Sequence, residues 1–188
     1  KDNKHFVFHL RKDAKWSNGD PVTAHDFVFA FQRAVDPKTA SPYSWYMEIP
    51  TIVNATDIIG GKKPADTLGV KASDDYTFEV QLGKAVPYFV SMLSHTTTYP
   101  VPKKVVEKFG DKWTQPGNMV SNGAYVLKDW VVNERVDVER NPSYWNNAKT
   151  VIEKVTYLPI QSTNAELNRY LAGEVDLTYN MPIERFKQ

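Results

Sequence analysis

The sequence predicts an α/β protein with mixed sheets and helices, and three observations carry that expectation. Apolar residues recur with period two in several short runs, one capped run carries them at helical spacing, and residues 152–179 read as strand, helix, strand. The first run, 5–11, puts Phe6, Phe8 and Leu10 on one face, as a strand packed on one side does. Asn18-Gly19 and Pro21 then punctuate the chain. Thr23-Ala24-His25-Asp26 has the form of a capping box, and Phe27, Ala30, Phe31 and Ala34 follow on one helical face before Asp36-Pro37 ends the helix. Ile52, Ala55, Ile58 and Ile59 predict a second, shorter helix that stops at Gly60-Gly61. Residues 70–72 and 76–82 predict a hairpin turning at Ser73-Asp74-Asp75, and a short helix after Pro87 would bury Phe89, Met92 and Leu93.

Pro100-Val101-Pro102 stiffens the chain and removes two backbone donors, which makes it the expected crossing between lobes. Val105, Val106 and Phe109 then share a helix face closed by Gly110. Residues 123–131 and 135–140 read as a hairpin turning at Asn133-Glu134. Residues 152–160 read as a strand, Thr163–Leu171 as a helix opened by a Thr163-x-x-Glu166 capping box, and Val175–Tyr179 as a returning strand. That last unit would place parallel neighbours in one sheet.

Composition sets the outer limits. With 41% hydrophobic residues, 5 Trp, 10 Tyr and 9 Phe in 188, the chain can bury a core and is not a disordered sequence. Its 23 Lys and Arg against 22 Asp and Glu give a net charge of +1, with cations scattered singly or in pairs, so no nucleic-acid footprint is expected. The absence of cysteine excludes disulfides, thiolate metal sites and thiol nucleophiles. No apolar run reaches a membrane span and no export signal is visible. The opening Lys1-Asp2-Asn3-Lys4, running straight into a strand pattern, reads as an interior piece of a longer polypeptide.

Catalytic and metal motifs are scarce. His5 and His9 would lie too far apart along a strand to share an ion, His25 opens a helix beside a capping Asp26, and no HExxH is present. No metal site and no cofactor are therefore expected. G-x-S-x-G, S-x-x-K and Gly-rich phosphate loops are missing too. Asp74-Asp75 invites a glycosidase reading, but adjacent acids in a turn point different ways, and turn solvation explains them better. His95, in the loop before the lobe crossing, reads equally well as a surface histidine or a ligand-cleft residue. Two aromatic sets, Tyr43, Trp45 and Tyr46 after Ser41-Pro42 and Tyr144-Trp145 after Asn141-Pro142, could plug a core or wall a ligand site.

The run from Phe8 through His9-Leu10-Arg11-Lys12-Asp13-Ala14-Lys15-Trp16-Ser17-Asn18-Gly19-Asp20-Pro21-Val22-Thr23-Ala24 to Phe27 closely resembles the signature of the extracytoplasmic solute-binding proteins of the peptide and nickel class of ABC importers. Ser121-Asn122-Gly123-Ala124-Tyr125 with Trp130, Asn141-Pro142-Ser143-Tyr144-Trp145 and Tyr170-Leu171-Ala172-Gly173-Glu174 extend the resemblance over essentially the whole chain. Lys112-Trp113-Thr114-Gln115-Pro116-Gly117-Asn118 and Tyr144–Val151 resemble the oligopeptide-binding branch and its murein-peptide-binding relative.

The resemblance implies a periplasmic binding protein type II fold, present in part, with residues 1–103 as most of a small lobe and 104–188 as part of a large α/β lobe. It implies a monomeric, exported periplasmic receptor without catalysis. Such a receptor encloses an extended oligopeptide between closing lobes and delivers it to an ABC permease in the inner membrane. By the same resemblance Tyr43 and His95 reach the cleft from the small lobe and Tyr179 and Asn180 from the large lobe. The chain departs from its near relatives where Asn180 runs directly into Met181-Pro182. A murein tripeptide is the alternative ligand; a hydrolase of peptides or glycans is the remaining alternative, and nothing here supplies its catalytic pair.

Overall fold

The computed structural model describes residues 2–186. The period-two run at the start forms β1 (His5–His9), and the 70–82 hairpin forms β2 (Val70–Asp74) and β3 (Thr77–Gln81). They assemble in the order β1-β3-β2, antiparallel throughout, with Phe6 opposite Val80 and Phe8 opposite Phe78. That register places the apolar residues of β1 and β3 on one face, where α1 (Ala24–Val35) covers them. Phe31 is fully buried and meets Phe78 edge-on at 5.2 Å between ring centres, while Phe89 closes on Phe6 at 4.9 Å. Aromatic pairs at these separations add to what area burial alone contributes.

The ends of α1 follow the sequence. Its capping box forms, with the Asp26 carboxylate accepting from the Thr23 backbone N–H at 3.0 Å. The same carboxylate oxygen accepts from Trp16 Nε1 at 3.2 Å, so one side chain both starts the helix and anchors the preceding loop. At the other end Asp36 leaves the helical region and accepts from the Lys38 N–H, which starts a 3-10 turn on Pro37. Short helices α2 (Ala55–Ile59), α3 (Phe89–Met92) and α4 (Lys103–Phe109) follow. Phe89 is buried as expected, whereas Met92 and Leu93 are only half-buried.

Past Pro102 a second sheet begins. The strands β4 (Tyr125–Val131) and β5 (Arg135–Arg140) make the expected hairpin, whose turn places Asn133 at φ 62°, a left-handed conformation that Asn tolerates. β6 (Lys154–Tyr157) pairs antiparallel with β5. Two sets of contacts tie this region back to the first. Ser17 donates its backbone N–H to Ser121 O at 2.8 Å and accepts the Ser121 N–H on its Oγ at 3.1 Å, and Arg11 stacks its guanidinium 3.6 Å over the Trp145 ring.

The strand, helix, strand unit is the part of the sequence reading that the structure corrects. The helix is present as α5 (Thr163–Leu171), but Val175–Tyr179 is not a strand and no parallel pair forms among the described residues. A strand is stable only when its N–H and C=O groups meet a neighbour's, and no described strand lies beside this segment. The cap also differs: Ser162, not Thr163, accepts the Ala165 N–H at 3.3 Å, and Glu166 is used elsewhere. Among the described residues no helix is long and apolar enough to cross a membrane.

Candidate functional site: an aromatic wall and a carboxylate-held loop

Ser41 and Pro42 follow the 3-10 turn that succeeds α1, and Tyr43 opens a further 3-10 turn over Ser44–Met47. A three-residue repeat alternates what this turn buries and what it presents. Met47 is 1% exposed and plugs the core, while Tyr43 and Trp45 stand 49% and 51% exposed. His95 caps a second 3-10 turn, Thr96–Thr98, by accepting the Thr97 N–H on Nδ1 at 3.2 Å. With Nδ1 so occupied, the neutral imidazole carries its proton on Nε2.

The two turns meet ring to ring. Tyr46 stacks on His95 with centres 4.3 Å apart and planes 21° from parallel, and Tyr43 leans on the same imidazole at 5.4 Å. Trp45 stands edge-on to Tyr46 at 6.0 Å. The Tyr46 phenol donates to Met92 O at 3.0 Å, which fastens the wall to α3. Four rings, partly exposed and three of them held by hydrogen bonds, present flat faces and polar rims to whatever lies against them.

Tyr179 and Asn180 are placed by a different device. A single carboxylate oxygen, Glu166 Oε1, accepts from the Tyr179 N–H at 2.9 Å, from the Thr178 hydroxyl at 2.5 Å and from the Asn180 N–H at 3.5 Å. The Thr178 hydroxyl and then the Tyr179 amide favour the charged form and hold the Glu166 carboxyl below its ordinary range. The Tyr179 ring is 79% exposed, with its backbone fixed. Among the described residues no hydrogen bond or ring contact joins this pair to Tyr43 or His95. The four expected residues therefore form two clusters, Tyr43 with His95 and Tyr179 with Asn180.

From sequence Tyr46 stands out only as part of an aromatic set, and Glu166 reads as a cap. The adjacency of Tyr46 to Tyr43 was a usable signal for the first, but nothing in a Ser-Thr-x-x-Glu spacing distinguishes a cap from a loop clamp. The other polar groups are occupied structurally. Asp74 accepts the Tyr76 N–H and the Thr77 hydroxyl, both at 2.8 Å, Asp75 lies 3.4 Å from His25, and His5 meets Glu79 at 2.8 Å. No group of three or more potential metal ligands occurs among the described residues.

The family model for bacterial extracellular solute-binding proteins, family 5 middle, matches residues 1–188. The chain belongs to this family. A periplasmic oligopeptide-binding protein, OppA of Salmonella typhimurium, is 64% identical over 100% of this chain and 35% of its own length. The periplasmic murein peptide-binding protein MppA of Escherichia coli is 49% identical, again over 100% of this chain and 35% of its own length. Among solved structures of this solute-binding family, Haemophilus influenzae OppA in complex with the peptide RPPGFSPFR matches with a TM-score of 0.95 and 53% identity, over 98% of this chain and 36% of that one. The unliganded open form of MppA matches with a TM-score of 0.97 over 100% of this chain and 36% of that one. The chain thus spans about a third of the length of the curated relatives it matches.

Proposed function

We propose that this chain is the part of a periplasmic solute-binding protein that presents Tyr43, His95, Tyr179 and Asn180 to an extended oligopeptide, which the receptor encloses and hands to an ABC permease. The observation that carries this reading is a relative, 53% identical across nearly the whole chain, whose structure holds a nine-residue peptide. The site chemistry agrees with it. Rigid aromatic faces tolerate many side chains, and polar groups can serve the peptide backbone, which every peptide shares. Residues 1–103 serve as most of a small lobe and 104–188 as part of a larger one, divided near the stiff Pro100–Pro102 segment. The receptor works as a monomer and catalyses nothing.

A murein peptide is the second reading, supported by the 49% identity to a murein peptide-binding protein. Small molecules that co-purify with the protein from cells, identified by mass spectrometry, separate the readings. A ladder of mixed peptides is the expected result, a single muropeptide favours the second reading, and hydrolysed products overturn both. A two-sided cleft adds a quantitative expectation. Calorimetric titration of the 188-residue chain with a tetrapeptide should show binding weaker than micromolar, and micromolar or tighter binding would defeat the two-sided arrangement.

A further inference from the structure

Beside the aromatic wall the last turn of α1 opens into a cavity of about 190 Å³ with a mixed polar and apolar lining. Its floor is small, because Ala30 and Ala34 stand there, and its cation is Arg33, half-buried between them. Ser41, Tyr43, Thr96 and Thr97 line the rest of the polar rim. Among the described residues no carboxylate lines the cavity. The contact that the Arg33 guanidinium makes among the described residues is with the Trp113 ring, 5.9 Å away, which leaves its N–H groups free to donate.

The hydroxyls are free in the same sense. Ser41 Oγ accepts the Tyr43 N–H at 3.3 Å and keeps its own proton to donate. The Thr96, Thr97 and Tyr43 hydroxyls have no partner among the described residues. A half-buried arginine with no carboxylate partner, beside hydroxyls whose protons are unpaired among the described residues, can offer an anion a charge-assisted set of donors. One positive charge among neutral donors matches one negative charge, and a doubly charged phosphate would call for more cations. At roughly 30 Å³ per water, the cavity has room for a carboxylate and several bridging waters.

We propose that this cavity is an anion subsite that takes a carboxylate of the bound peptide, delivered past the Tyr43 ring that the cavity shares with the aromatic wall. The proposal rests on the peptide-binding reading above. Two sources have this chemistry, an acidic side chain and the terminal carboxylate, and Arg33 with Thr97 recognises either by charge-assisted hydrogen bonds.

The test uses the intact protein that carries this chain and three tetrapeptides: one with Glu, its Gln counterpart, and the Gln peptide with an amidated C-terminus. Wild type should bind the Glu peptide, or the free acid over the amide, about three- to tenfold more tightly, and this preference should shrink as salt is raised. The first result assigns the subsite to the side chain and the second to the terminus. In Arg33→Gln the preference should vanish, and in Thr97→Val it should narrow. Equal affinities for all three peptides in wild type, or a preference retained in Arg33→Gln, overturns the proposal. If no peptide binds at all, the peptide-binding reading falls, and the subsite is judged by a second measurement. Titration with sodium acetate, against sodium chloride at equal ionic strength, should shift the Arg33 Nε–Hε NMR resonance, and an unmoved resonance overturns the subsite.

Discussion

The two sheets share an antiparallel architecture and differ in what they bury. Around β1, β3 and β2 a closed cluster runs from Ala24 to Phe89, with Phe31, Ile58, Val80 and Leu82 all but sealed from water. Beyond residue 103 the buried apolar side chains among the described residues are Val105, Leu167 and Pro182, while Val151 and Ile183 stand 86% and 89% exposed. The first region supplies both sides of its own packing, a sheet face and the helix that covers it. In the second, fewer of the apolar side chains on sheet and helix are covered among the described residues. The two regions should therefore respond very differently to truncation of a large side chain.

The largest contrast is expected between Phe31→Ala and Val151→Ala. Phe31 is enclosed by Phe78 and the rest of the cluster, so its removal should cost about 3–5 kcal/mol in urea unfolding of the chain. Val151→Ala, at an almost fully exposed position, should stay within about 0.5 kcal/mol. Similar losses at both positions would mean that the second region packs as tightly as the first.

A smaller effect tests what holds the second region together in place of a core. Asn141 is completely buried, and its side chain ties three loop groups: Nδ2 donates to Gly123 O at 2.8 Å and to Ser121 O at 3.3 Å, and Oδ1 accepts the Ser143 N–H at 3.0 Å. Asn141→Ala leaves those partners unpaired and should cost about 1–3 kcal/mol. A neutral outcome in the same urea assay would show that water replaces the side chain freely, and that the loop before Trp145 is looser than these bonds imply.

The same division explains how much was legible in the sequence. Where a segment's packing partner lies within the chain, pattern sufficed: the register that places Phe6 and Phe8 against Val80 and Phe78 follows from period two, and α1 begins and ends at the residues its capping box and Asp36-Pro37 indicate. Where the partner is not beside it, pattern misled. Val175–Tyr179 has the composition of a strand, but strand propensity only measures fitness for a pleated, paired surface, and no described strand pairs with it. The aromatic wall was half legible. Tyr43 and His95 could be named, yet their meeting depends on two 3-10 turns whose approach no local spacing encodes. Glu166 was misassigned because three donors converge on it from residues twelve to fourteen positions later, a tertiary fact.

That convergence yields the finest test, because it concerns one loop rather than a region. Glu166 is held below its ordinary value of 4.5, first by the Thr178 hydroxyl and then by the Tyr179 amide. A carboxyl depressed in this way contributes its stabilisation above the unfolded-state value, and the contribution is lost as pH falls through the depressed folded value. The group is only half-buried, so the effect on global stability should be slight and its local signature clear. The Tyr179 amide NMR shift should stay constant from neutral pH down past 4.5, then move as Glu166 protonates and the bond to Oε1 weakens. In Glu166→Gln the neutral amide oxygen can still accept from Tyr179, so the shift should be flat over the same range. A Tyr179 transition centred at or above the ordinary carboxylate value, or one that persists in Glu166→Gln, would show that another group holds the 178–180 loop. The contrast between a region built on burial and a loop built on one carboxylate would then fail at its most local point.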